Sequence, residues 1–222
     1  MSTSDSTLHD GSTTDDSVSH IADVLRELRE DGADNRTIGN RFERLIQNYL
    51  LTDPQYANEL TDVWLWSDWP QNWGQDVGID LVARTHTGDY WAIQCKSHLP
   101  HHRIQKTDID SFFTASGRGF EVDGERRTFS QRLIVSTTDR WSSLAEQALT
   151  DQNPPVERVS LSTLDASPID WTQFNPFAPE HMVRRDRKTL RDHQKEAKEA
   201  TEAHFRDHDR GKLIMACGTG KT

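Results

Sequence analysis

Apolar positions recur along this chain with two different periods, and the switches between them mark out its elements. Ile21, Val24, Leu25 and Leu28 fall at three- and four-residue spacing, which predicts a helix over His20–Asp31. Ile38, Phe42, Leu45, Ile46, Tyr49 and Leu50 repeat that spacing and predict a second helix from Thr37 to Leu51, stopped by the Thr-Asp-Pro that follows. Shorter apolar runs bounded by turn residues then take over. "TDVWLW" reads as a strand, and "IDLVAR" and "YWAIQCK" as the arms of a hairpin joined by the turn-rich "THTGD". "KTDIDSFFTASG" reads as a helix ending at Gly117, "QRLIVSTT" as a buried strand, "SSLAEQALTDQ" as a helix and "VERVSL" as another strand. The Pro-containing "DASPIDWTQFNPFAPE" reads as a domain boundary, followed by a polar helix over Lys188–Asp207. From Thr37 to Thr137 the order is helix, three strands, helix, strand. That order predicts an α/β layer fold, an αβββαβ core around a mixed sheet.

The hairpin carries candidate chemistry. Centring its turn on Thr87 makes paired residue numbers sum to about 174, which sets Asp80 opposite Gln94. Side chains alternate along a strand, so Asp80, Gln94 and Lys96 share one face while Leu81, Ala83, Ile93 and Cys95 take the other, toward a core. A carboxylate, an amide oxygen and an ammonium on one surface suit metal-assisted phosphodiester hydrolysis. Asp80 would hold Mg²⁺, Gln94 would add a neutral oxygen, and Lys96 would orient the attacking water or stabilise charge on the phosphate. Glu43, beside the apolar stripe of the preceding helix, is the best-placed further carboxylate, so the metal set is Asp80, Gln94 and Glu43.

A second signal closes the chain. In "MACGTGKT", Gly218 and Gly220 let backbone N–H groups turn toward phosphates, Lys221 supplies a point charge and Thr222 a hydroxyl for Mg²⁺. Met215 stands where the general phosphate loop has its first glycine. The apolar run Lys212-Leu-Ile-Met215 ahead of it reads as a short buried strand.

Composition qualifies this picture. A formal charge of −10 and a pI near 5.4 do not advertise nucleic-acid binding. The acid is uneven, however: the first 18 residues hold four Asp and no Lys or Arg, and read as a disordered tail. Basic residues recur at Lys96–Lys106, Arg118–Arg132 and Arg184–Lys198, leaving room for a local cationic surface. Two cysteines, Cys95 and Cys217, cannot build a zinc site, and their scarcity suits a reducing cytoplasm. No apolar run is long enough to span a bilayer, and no signal-peptide pattern opens the chain. Trp64, Trp66, Trp69 and Trp73 crowd one stretch and read as core packing before a base-stacking platform. His98, His101 and His102 follow Lys96 closely, but their spacing and the intervening Pro100 predict a loop, DNA-facing before metal-binding.

The motifs carry resemblances. "MACGTGKT" resembles motif I of superfamily 2 helicases, and "LRDHQ" resembles their adenine-reading glutamine motif. That likeness implies ATP-Mg binding by Gln194, Gly218, Thr219, Gly220, Lys221 and Thr222. It also implies the first helix, strand and phosphate loop of a RecA-like motor. The acidic motor box, the arginine finger and the second motor domain are not in this sequence, so ATP hydrolysis by these residues alone is not expected. "DVGIDLVA…WAIQCK" resembles the Mrr-like branch of the PD-(D/E)XK nucleases, in which Gln replaces the usual Glu. It implies a restriction-endonuclease-like fold with Asp80, Gln94, Lys96 and Glu43 catalytic, and Asp76 as a loop residue.

A nuclease directly ahead of such a motor is similar to the N-terminus of single-polypeptide (type ISP) ATP-dependent restriction–modification enzymes, an order that type I motor subunits share. "VWLWSDWP", "DIDSF" and "LIMACGTGKT" resemble segments of that group. The resemblance implies a Mg²⁺-dependent endonuclease acting on double-stranded DNA. Further motor, methyltransferase and target-recognition regions would lie outside these residues. The competing expectation is a repair helicase whose nuclease-like domain binds DNA without cutting it. The expected organisation is a tail over 1–18, a helix over 19–35, a nuclease domain over 36–165, a linker over 166–187 and the motor start over 188–222.

Overall fold

A computed structural model describes residues 21–30, 32–74, 78–175, 178–185 and 192–212. The acidic tail, Asp76 and the phosphate loop from Gly218 to Thr222 lie outside the described residues. The chain divides into two units, through Arg184 and from Arg185 onward.

In the first unit, helix α1 (Ile21–Glu30) buries the four apolar residues its spacing predicted. Helix α2 (Asn35–Thr52) starts where the Asp34 carboxylate accepts the Thr37 N–H at 2.8 Å, and it buries Phe42, Leu45, Ile46, Tyr49 and Leu50. Asp53 both ends α2 and caps the single turn α3 (Pro54–Ala57): its N–H bonds Tyr49 O, and its carboxylate accepts the Gln55 N–H. Pro54 fits there because the first helical position needs no amide proton.

Strands β1 (Leu60–Leu65), β2 (Leu81–Thr85) and β3 (Tyr90–Lys96) follow. Helix α4 (Asp110–Ser116) leads to a small hairpin, β4 (Phe120–Val122) and β5 (Glu125–Arg127). Strand β6 (Phe129–Ser136), helix α5 (Ser143–Leu149), strand β7 (Val156–Val159) and helix α6 (Leu161–Ala166) complete the order. The main sheet runs β1-β2-β3-β6-β7, antiparallel across the first three strands and parallel across the last three. It is therefore a mixed sheet in an α/β fold, and the hairpin pairs Leu81 with Ile93 and Ala83 with Trp91, in the expected register.

Side-chain alternation divides the core in two. Leu81, Ala83, Trp91, Ile93, Leu133 and Val135 join α1 and α2 on one face of the sheet. Val82, Tyr90, Ala92 and Ile134 join Phe112 of α4 and Ala145 of α5 on the other. Both faces are covered, which explains why these strands read as continuous apolar runs.

Three features depart from expectation. The stretch read as a linker packs instead: Ile169, Trp171, Phe174 and Met182 are buried in the first core. Trp171 stacks on Tyr49, and the Asp170 N–H bonds Val183 O at 2.9 Å. Proline there shapes a packed strap rather than a flexible connection. The β4–β5 hairpin was missed, although Asp123-Gly124, both at positive φ, is the dipeptide such a turn requires. Helix α6 was also missed, being only six residues long and carrying a single buried side chain, Leu164.

The second unit contributes helix α7 (Asp192–His204), none of whose residues is buried. Gln194 lies on it, half-buried. Among the described residues, no helix is long and apolar enough to cross a membrane.

Candidate active site

Asp80 sits immediately before β2, and its backbone is held on both sides. Its N–H bonds Ile93 O at 2.9 Å, and its carbonyl accepts the Trp66 N–H at 2.8 Å. Its carboxylate Oδ2 accepts the Cys95 N–H at 2.6 Å, a charge-assisted bond that aligns Asp80 with the end of β3. Gly78 makes this approach feasible. At φ +89° it occupies the left-handed region, and a Cβ there would meet Ser111 Oγ at 2.7 Å and Phe112 N at 3.1 Å.

Gln94 is 1% exposed. Its Nε2 donates to Gly78 O at 3.1 Å, which fixes the amide orientation, and its Oε1 is left with no hydrogen-bond partner. A buried amide oxygen without a partner costs about 1–3 kcal/mol, so it is a group waiting for a donor or a cation. Lys96 is two residues further along the same face, half-buried. Asp80, Gln94 and Lys96 line one cavity of about 580 Å³.

Glu43, half-buried on α2, lines a second cavity of about 490 Å³, and Asp80 borders both. The electrostatics also tie the three charged members together. Burial pushes the Cys95 thiol well above its ordinary pKa, the carboxylates of Asp80 and Glu43 push it further, and Lys96 opposes them. All three charges therefore act on the one sulfur between them.

Sequence reasoning missed Ser111 and Thr114, which line the first cavity from α4 with Arg118 just past its end. Three-residue spacing puts Ser111 and Thr114 on one face of that helix, and Arg118 was noted only as part of a basic run. Arg118 beside Lys96, with Arg36 and Arg44 on the second cavity, makes a cationic wall in a chain that is acidic overall.

The tryptophans pack. Trp69 is fully buried and meets Trp66, Trp73, Tyr90, Phe120 and Phe129 at ring distances of 4.9–6.2 Å. The histidine segment is a loop, as expected. Among the described residues, the set of His, Cys, Asp or Glu side chains with ligand atoms all within 4.8 Å of one another is His98, His102 and Asp108. His101 is outside that set. The predicted Asp80–Gln94–Glu43 set does not appear in it, in part because one of its members is an amide.

This sheet order, with Asp80 before β2 and Gln94 and Lys96 on β3, is the arrangement that the Mrr-like resemblance implied. Residues 51–181 match the model of a restriction endonuclease family, Mrr_cat_2, and the chain belongs to that family. The matched span holds Asp80, Gln94 and Lys96 and runs past residue 165 through the packed strap.

The chain is similar to a solved structure of the ATP-dependent Type ISP restriction-modification enzyme LlaBIII bound to DNA. The two are 38% identical with a TM-score of 0.68 over 89% of this chain, which spans 12% of the length of that one. The MspJI restriction endonuclease in complex with a 27-mer oligonucleotide is 17% identical over 65% of this chain and 30% of that one. Its TM-score of 0.42 is too low to bear on the fold. No curated protein matches.

Proposed function

We propose that the first unit is a Mg²⁺-dependent DNA endonuclease serving an ATP-dependent restriction enzyme, with Asp80, Gln94, Lys96 and Glu43 as its working residues. One observation carries the reading. The buried, partnerless Gln94 Oε1 belongs to the cavity that Asp80 and Lys96 also line. The donors are hard oxygens, which fit Mg²⁺, and Asp80 and Gln94, with Glu43 from across Asp80, would hold it. Bound there, the cation would supply an acidified water and charge neutralisation at the phosphate.

The chain's own residues do the rest. The Cys95 N–H holds the Asp80 carboxylate in place. Gly78 O holds the Gln94 amide so that its oxygen, not its NH₂, is the open group. Lys96 orients the attacking water or stabilises charge developing on the phosphate. Arg118, Arg36 and Arg44 attract the DNA backbone without reading sequence.

LlaBIII, the similar protein, was solved bound to DNA, which supports DNA as the partner here. Its name also supports an ATP-driven context, in which residues 188–222 would begin the motor. Gln194 and the loop Gly218–Thr219–Gly220–Lys221–Thr222 would then bind ATP-Mg. Methyltransferase and target-recognition regions would belong to the larger protein, acting in the cytoplasm.

The test is cleavage of supercoiled plasmid by this chain with Mg²⁺ or Mn²⁺, beside Asp80→Ala. Metal-dependent nicking that the variant loses is the expected result. Equal nicking by both would refute the assignment of Asp80. DNA binding that needs no divalent ion and survives the substitution, without cleavage, would favour a DNA-binding module with an inactive nuclease fold.

A further inference from the structure

The loop that leaves the catalytic strand holds a second group of ligands. The His98 and His102 rings stack with centroids 3.9 Å apart, and the Nε2 of each is buried with no hydrogen-bond partner. Asp108 Oδ2 lies 3.7 Å from His102 Nε2, beyond hydrogen-bonding reach. Two imidazole nitrogens and a carboxylate are thus gathered, and the nitrogens have no other task.

The backbone around them is fixed. The His98 N–H donates to Thr137 Oγ1 at 2.8 Å, and His98 O accepts from Arg29 Nη2 at 2.9 Å. The single Thr138 hydroxyl proton is shared between His102 O at 2.8 Å and Pro100 O at 3.1 Å. Asp108 is held by a reciprocal cap, its Oδ2 accepting the Gln105 N–H at 2.8 Å. The end of β6 therefore clamps the histidine loop from below, and the turn before α4 presents the carboxylate.

We propose that His98, His102 and Asp108 form a transition-metal site, distinct from the Mg²⁺ site, that staples the loop after Lys96 to the turn leading into α4. Borderline nitrogen donors with one carboxylate suit Zn²⁺ or Co²⁺ and do not suit Mg²⁺. Ligand atoms around one tetrahedral zinc lie roughly 3.3–3.5 Å apart. The ligand atoms already lie within 4.8 Å of one another, and because each lone pair lies in its ring plane, the stacked rings must swing out of their 22° tilt to converge on one ion. Three protein ligands leave a fourth position for water. Such a staple would join the segment carrying Lys96 to the helix carrying Ser111 and Thr114, two walls of the same cavity. The site does not depend on the nuclease reading, because its ligands are not among the residues assigned to cleavage.

The experiment is a titration of the untagged chain with Zn²⁺ against a chromophoric chelator, repeated with Co²⁺ by visible absorption. One equivalent should bind through these ligands, and in the Asp80→Ala background, which lacks the Mg²⁺ site, Zn²⁺ should raise the Tm by several degrees while Mg²⁺ does not. His102→Gln and His98→Ala should weaken binding at least tenfold and abolish the Tm rise. Asp80→Ala should keep both, as should His101→Ala and His204→Ala, the latter controlling for the stacked His204–His208 pair. His102→Gln is the decisive variant, because that half-exposed side chain can change without opening the core. No bound equivalent in the wild type would overturn the proposal. So would a Zn²⁺ affinity that His102→Gln leaves intact or that His204→Ala removes.

Discussion

The two ends of one sheet face differ sharply. Toward the start of β3, Tyr90 and Ala92 meet Trp69, Phe120 and Phe129 in a ring-packed cluster. Toward its end, the same face turns to Gln94 and Lys96, with a cavity where the cluster would have continued. The alternation of strand side chains is unbroken across both ends, so the difference arises from residue choice alone. The aromatic end satisfies its rings by contact and holds the strands in register. The polar end leaves the buried Gln94 Oε1 without a partner, and the neighbouring cluster offsets the cost. A site of this kind needs a rigid platform, and the tryptophans supply it.

Removing the platform should have the largest effect. Trp69→Ala deletes the fully buried ring at the centre of the cluster and should cost about 3–5 kcal/mol, seen as a much lower denaturation midpoint. The fraction that remains folded should still bind divalent metal. Next comes the other end. Lys96→Ala should lower Mg²⁺-dependent plasmid nicking by about 10²–10³-fold and leave the midpoint within about 0.5 kcal/mol of wild type, as a half-exposed side chain away from the core does. If the two variants exchanged these outcomes, the division between scaffold and site would be wrong.

Much of this was legible because the governing signals are local. The periodicity of α2 and the length of the β2–β3 turn were enough to place Asp80, Gln94 and Lys96 on one face. What sequence could not supply was contact between distant segments. Trp171 packs on Tyr49 across more than a hundred residues, so the strap looked like a proline-rich linker. The grouping within the histidine loop was hidden for a related reason. Its third member, Asp108, follows a cap and a short helical turn, and only the fold shows that His102 faces it while His101 does not. Arg118 was legible only as one of a run of basic residues, because it lies past the end of α4 and only the fold brings it to the cavity.

Gly78→Ala acts on the seam between the two ends. A Cβ would meet Ser111 Oγ at 2.7 Å and backbone Phe112 N at 3.1 Å, on a residue already at φ +89°. Steric and dihedral costs together should be about 1–3 kcal/mol. Because Gly78 O holds the Gln94 amide, the variant should also weaken divalent-metal binding, by calorimetric titration, more than its stability loss accounts for. A loss of stability with unchanged metal affinity would mean that the Gln94 orientation does not depend on this contact.

The smallest effect reads the site most directly. Cys95 packs, partly buried, against the first core. Its thiol is raised well above its ordinary pKa by burial first, then by the Asp80 and Glu43 carboxylates, with Lys96 opposing. Only the thiolate is nucleophilic, so alkylation at pH 8, followed by peptide mapping to separate Cys95 from Cys217, should be slow. Asp80→Asn keeps the shape and removes one carboxylate charge, so labelling of Cys95 should speed up several-fold, and Glu43→Gln should give a smaller gain. Lys96→Met should slow it.

The same shift fixes a sign for stability. A thiol raised in the folded state contributes stability that is intact below the unfolded value of about 8.5 and is lost as pH climbs through the folded one. Wild type should therefore weaken above pH 8.5, and Cys95→Ala should weaken less. Should Asp80→Asn leave the Cys95 rate unchanged, the carboxylate does not act on the end of β3. The convergence of Asp80, Glu43 and Lys96 on one point would then fail with it.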